Sequence, residues 1–265
     1  MREAAALARI YLRMLLGYVR AVLEYRTDAL ILVLASVLTQ LAGIVFLTTV
    51  FAQVPALGDW QRWEVIWIFA MVVLAEGIGS LCFEGTWHLA LYINLGGLDY
   101  LMVRPYPVAL QVMGSTLGPN GFSNAVLGLA LLGVAATRVD VDWGPVTVGW
   151  AVLLMLSGVL VKLAISLASN TTAFWLRSPS SSPAGTVHTL GDLARYPITV
   201  YSTGVRAVLV VIPLAFVGYF PAASLFGKGT AGTIGAFTPL VAAACIAGAW
   251  AYFRAGMRRY DSVGN

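Results

Sequence analysis

Charge is scarce in this sequence. Its 265 residues include only 16 Lys and Arg and 12 Asp and Glu, or 11%. A chain so poor in charge has too little polar surface to cover a water-soluble core of its size. Cysteine and histidine are rarer still, at two each. Cys82 and Cys245 have no CxxC partner and no nearby His, which leaves a disulfide framework and a metal site unsupported. His88 and His188 lie far apart, each alone among polar neighbours. There is no HExxH, no GxSxG elbow and no carboxylate pair at metal-binding spacing. The one phosphate-loop lookalike, Phe226-Gly227-Lys228-Gly229-Thr230, puts Ala222 and Gly229 where the loop needs Gly and Ser/Thr. No cofactor and no nucleotide site belong to this chain. If ATP drives it, another chain hydrolyses the ATP.

What is present is apolar. Hydrophobic residues make up 59% and mean hydropathy is +0.83. Roughly six long apolar stretches alternate with gaps, and a bilayer-spanning helix needs about 20 such residues. The expected fold is all-α: a single polytopic membrane domain over 1–265 with six transmembrane helices. The spans fall at about 29–51, 65–83, 122–136, 146–167, 201–217 and 237–253. The apolar but Gly- and Pro-broken stretch between the last two reads as a re-entrant segment, which tolerates irregular backbone only where protein shields it. Trp60 and Trp63 mark a membrane surface.

Residues 3–24 read as an amphipathic helix. Arg2, Arg9, Arg13, Arg20 and Glu24 fall on one face; Leu7, Ile10, Tyr11, Met14, Leu15, Tyr18 and Val22 fall on the other. Such a helix lies in the membrane interface or packs on a cytosolic partner. With some 27 mixed residues before the first span, no cleavable signal peptide is expected. The net charge of +4 lies beside spans, so it reads as topology signal and contact with anionic lipid rather than nucleic-acid binding. The excess of Arg over Lys fits a GC-rich bacterial genome.

Orientation follows from the basic residues. With the N-terminus inside, cytoplasmic gaps hold Arg2, Arg9, Arg13, Arg20, Arg26, Arg104, Arg177, Arg195, Arg206, Arg254, Arg258 and Arg259. External gaps hold Arg62, Arg138 and Lys228, while Lys162 lies within a span. Twelve against three places both termini in the cytoplasm of a bacterial inner membrane.

Two ionisable groups fall inside spans, Glu76 and Lys162, and each is costly there unless paired or hydrated. Counted from the external ends they lie roughly 20 and 24 Å deep, at about 1.5 Å per residue. They either meet as an ion pair near the inner leaflet, or Lys162 snorkels to the surface. One intramembrane carboxylate is a poor basis for a proton relay. Phe46, Phe51, Phe69 and Phe216 line a translocation path or face lipid and neighbouring helices.

The string Gly97-Leu98-Asp99-Tyr100-Leu101-Met102-Val103-Arg104-Pro105-Tyr106-Pro107 resembles a segment of the ABC-2-type permeases. So do Ala194-Arg195-Tyr196-Pro197-Ile198-Thr199-Val200-Tyr201, Ile212-Pro213-Leu214-Ala215-Phe216 and Tyr219-Phe220-Pro221-Ala222. The resemblance covers essentially the whole chain. It implies the transmembrane subunit of an ATP-binding cassette exporter, without an ATPase site of its own. ATP and Mg would bind a separate nucleotide-binding subunit, and a second permease chain, identical or related, would complete the pore. It also implies a coupling segment at about 92–104, centred on Leu95, Gly96, Gly97, Leu98 and Asp99 and closed by Arg104. Arg104-Pro105 also reads simply as a helix stop carrying topology charge. The competing readings are an ion-gradient-driven carrier or channel subunit, a lipid-acting membrane enzyme and a passive anchor.

Overall fold

The computed structural model describes residues 2–24, 26–176 and 182–262. Arg177, counted above among the cytoplasmic charges, lies outside them. The fold is all-α apart from one two-stranded ribbon. In chain order it runs α1 (Arg2–Glu24), α2 (Arg26–Gln53), β1 (Ala56–Leu57), β2 (Trp60–Gln61) and α3 (Arg62–Phe83). A 3-10 turn, Glu84–His88, leads to α4 (Leu89–Asn94), α5 (Gly97–Met102) and α6 (Val108–Met113). Then come α7 (Asn120–Ala136), α8 (Pro145–Thr171), α9 (Ala173–Leu176) and α10 (Ser182–Leu193). The chain finishes through α11 (Thr203–Val211), α12 (Tyr219–Leu225), α13 (Gly229–Gly235) and α14 (Thr238–Arg258).

Four helical stretches are long and apolar enough to cross a membrane: Arg26–Gln53, Arg62–Asn94, Pro145–Leu176 and Thr238–Arg258. Asn120–Ala136 is equally apolar but shorter. The stretch 201–217 differs from the single helix expected of it. Its helix stops at Val211, because Pro213 has no N–H to continue the ladder, and a 3-10 turn Leu214–Phe216 follows. The Gly-broken segment after it forms two short helices, α12 and α13, which pack on each other around Gly227 and Lys228.

The core is built on α3. Thirteen consecutive residues, Val65 to Gly77, are buried, so this helix is enclosed on every side. Its main neighbour is α7, and small residues let the two backbones meet. A Cβ on Gly77 would stand 2.4 Å from the Ala125 nitrogen, and one on Gly128 2.8 Å from the Leu74 nitrogen. Only glycine fits at either point. α2 joins the same layer through polar contacts: Ser36 Oγ donates to Asn124 Oδ1 at 2.6 Å and Gln40 Nε2 to the same oxygen at 3.1 Å. α8 packs on α3 and α14 on the other side.

One end of the bundle is capped by aromatics. Trp60 is buried against Tyr219 and Phe226, and Trp67 stacks on Trp143 at 5.6 Å. Lys228 binds across this cap, 2.8 Å from Glu64 Oε2 and donating to the Asp59 carbonyl at 2.7 Å.

The faces of α1 follow the amphipathic pattern. Ile10, Tyr11, Met14, Leu15, Tyr18 and Val22 are half-buried, while Arg9, Arg13, Arg20 and Glu24 are exposed. The Tyr11 hydroxyl donates to the Cys82 carbonyl, and its ring lies 6.0 Å from that of Phe83. This seats α1 at the far end of α3 from the aromatic cap.

Candidate functional site

The sequence singles out Glu76 and Lys162, and the fold brings them together. α3 supplies Glu76, α8 supplies Lys162, and Lys162 Nζ lies 3.3 Å from Glu76 Oε1. A third member comes from the turn after α10: Arg195 Nη2 donates to Glu76 Oε2 at 2.7 Å. All three side chains are about nine-tenths buried. Arg195 also lies 3.0 Å from Asp192 Oδ1. One carboxylate is thus held by two cations, one on each oxygen. Such an arrangement tolerates burial because each carboxylate oxygen faces a cation, although Arg195 Nε is left without a partner, and it ties three separate segments together. Arg195 is the member that sequence reasoning missed. It lies in a polar stretch where an Arg reads as topology charge, and its partner is 119 residues away. Burial among named elements was the missing signal.

Beside this cluster opens a cleft between the end of α3, the 3-10 turn, α8 and α10. Its walls include Ser80, Phe83, Glu84, Trp87, Ser166 and Val187, with Glu76 and Lys162 at its inner end. Trp87 meets the exposed His188 ring edge to face at 5.4 Å.

The expected coupling segment forms a compact helical hairpin. α4 ends at Asn94. Gly96 then turns the chain with φ of +71°, a conformation that costs any L side chain, and α5 starts at Gly97. Gly97 allows the Tyr92 ring to close in, since a Cβ there would come within 2.7 Å of it. Leu98 and Leu101 anchor the hairpin in a small core with Leu89, Val112 and Phe174. The opposite side presents apolar groups outward: Leu95 is 63% exposed, Tyr100 65% and Val103 80%. Asp99 accepts a 2.6 Å hydrogen bond from Ser262 Oγ, and the Arg104 guanidinium covers the Tyr100 ring at 4.4 Å. Below them, Gln111 Nε2 donates to the carbonyls of Leu101 at 3.0 Å and Tyr106 at 2.8 Å, pinning the Arg104–Pro107 turn. α1 reaches this region too. Burial pushes the Tyr18 phenol up, Tyr92 adds to the shift and Arg104 opposes it.

The four phenylalanines do not converge. Phe69, packed on Gly43 and facing Arg195, and Phe216, against Phe220 at 4.6 Å, are buried in the core. Phe51 is half-buried at the edge of that core. Phe46 alone is open, 54% exposed, with its ring on Tyr196 and a shallow groove along Thr49, Val50 and Gln53.

Among the described residues no group of three or more His, Cys, Asp or Glu is placed to hold a metal. No curated protein and no solved structure matches the chain significantly. The family model for ABC-2 family transporter protein matches residues 37–264, from within α2 to the end of the described chain and beyond. That match takes in α3, the charge cluster and the exposed hairpin together. The chain belongs to the ABC-2 family of transporter proteins.

Proposed function

We propose that this chain is the permease subunit of an ATP-driven exporter, moving an amphiphilic or hydrophobic molecule out of the cytoplasm. Family membership implies an ATP-binding partner. In this reading ATP and Mg bind that partner, and a second permease, identical or related, faces the first. Six crossings of a bacterial inner membrane are completed by the short α7 and by α11 with the turn after it. α12 and α13 re-enter from outside, both termini are cytoplasmic, and α1 lies along anionic lipid.

The observation that carries the reading is the α4–α5 hairpin. Leu95, Tyr100 and Val103 project outward from a segment whose inner side, Leu98 and Leu101, is anchored. Exposed apolar side chains on a braced support are what a partner subunit needs to grip and push. The hairpin, α4 through Arg104, then passes ATPase motion into α3 through the 3-10 turn and into α7 through α6. The gradient-driven alternative gains nothing from Glu76, because a carboxylate held by two cations is poorly placed to carry a proton.

The test is affinity purification of the tagged chain co-expressed with its genomic neighbours, followed by an ATPase assay. Wild type should retain a stoichiometric ATPase. Leu95→Glu with Val103→Glu, both on exposed positions, should release it while leaving the permease monodisperse. Well-folded wild-type protein that retains no ATPase would overturn the reading. Retention by the double variant would move the docking site elsewhere.

A further inference from the structure

The geometry points to a binding site for the ammonium head of an amphiphilic amine in the cleft between α3, the 3-10 turn, α8 and α10, with Glu84 as its counter-ion. The inference rests on the exporter reading above and gives its cargo a chemical class.

Most of the acids around the cleft are already paired. Glu76 is saturated by Lys162 and Arg195, and Asp192 by Arg195. Glu84 is the remaining acid on the cleft wall, and no cation lies within ion-pair distance of it among the described residues. Its carboxylate is half-buried against the chain at Gly118, where a Cβ would stand 3.1 Å from its Cδ. Of the ionisable groups lining the cleft, Glu76 and Lys162 hold each other, which leaves Glu84 and His188. Lys162 does not serve Glu84. Eight residues separate Glu76 from Glu84, and at about 1.5 Å per residue the bound lysine sits roughly 12 Å deeper along the axis.

The walls favour a cation over other fillers. Phe83 and Trp87 flank Glu84 in sequence and line the same cleft, and aromatic faces attract an ammonium that a carboxylate neutralises. Tyr11 of α1 backs Phe83, which holds that ring in place. Ser80, Ser166 and Ser169 add hydroxyl groups to the wall; Ser80 hydrogen-bonds Glu84, Ser166 Oγ lies 3.2 Å from Thr86 Oγ1 and Ser169 Oγ donates to the Ser166 carbonyl. The cleft, open at one side, has a volume of about 60 Å³, room for a compact ammonium and the first carbons of its chain. The rest of the molecule then lies along Leu163, Val187 and Leu214, which are apolar.

The experiment uses the full chain in phosphatidylcholine nanodiscs and two fluorescent probes with one fluorophore. Dansylcadaverine ends in a primary amine, and dansyl-aminohexanoate ends in a carboxylate. The amine should bind saturably above the level of empty discs, and the carboxylate should not. Glu84→Gln should weaken the amine by about tenfold or more, the loss of one charge-assisted contact. Glu84→Asp should recover most of it, and Val187→Trp should block the cleft without altering its charge. Thermal melting and ATPase co-purification of each variant separate lost binding from lost folding. Equal binding of the two probes, unchanged binding in folded Glu84→Gln, or amine uptake no greater than in empty discs would overturn the inference. Failure of amine binding with the ATPase still retained removes this site alone and leaves the permease reading standing. Amine binding by a chain that retains no ATPase keeps the site and removes that reading.

Discussion

α2 and α3 are both long, apolar and free of proline, yet they sit in opposite surroundings. In the most apolar window of α3, 72% of residues are buried within the chain, against 11% for α2. α2 is anchored by Gln40 and Leu47, while Leu30, Ile31, Leu34, Leu38, Leu41, Val45 and Phe46 remain exposed. α3 has no free face at all between Val65 and Gly77. The difference teaches that apolarity measures how well a helix tolerates hydrocarbon, not what it touches. α3 is specified by what packs on it: glycines, one charge cluster and an aromatic cap. α2 is held by a few polar contacts and keeps a wide apolar surface for lipid or a second chain.

The comparison breaks most severely at Glu76. Replacing it with Ala leaves Lys162 buried without a partner and Arg195 with Asp192 alone, a loss of about 3–5 kcal/mol. Little folded protein should be recovered, and melting of what remains should fall sharply. Glu76→Asp, melting near wild type, would show instead that the cluster adapts. Next, Gly77→Val or Gly128→Val forces the α3 and α7 backbones apart and should cost about 1–3 kcal/mol or more. Detergent melting curves read this directly, and an unchanged midpoint would mean that the helices separate freely. Gln40→Ala removes the bond to Asn124 and should cost about 1 kcal/mol. The smallest effect belongs to the open face of α2. Leu34→Ala and Leu38→Ala should change the stability of the isolated chain by no more than about 0.5 kcal/mol.

Much of this was legible beforehand, for identifiable reasons. The two faces of α1 were readable because a 3.6-residue period separates its arginines from Tyr11, Met14 and Tyr18. The helices at 29–51, 65–83 and 146–167 stood out because breakers and aromatic residues flank them. Other features were hidden. Pro213 lies inside an apolar run, and hydropathy registers its neighbours rather than its missing N–H. Phe69 and Phe216 read either as path-lining or as packed on helices and lipid, because a helix that is apolar all round has no face that marks burial. Arg195 looked like any loop arginine, since a contact spanning 119 residues leaves no local trace. Glu84 marked only the start of a polar stretch; the packing of α8 and α10 gives it a cleft.

Gln111 braces the exposed hairpin. Its amide group holds the chain at Leu101, before the Arg104–Pro107 bend, and at Tyr106 within it, from a position only 2% exposed. The bend therefore acts as a braced elbow. Any change in the angle between α5 and α6 must first break a hydrogen bond shielded from water. In the proposed reading, a push by the ATPase on Leu95 or Val103 would reach α6 as displacement rather than as slack in the joint.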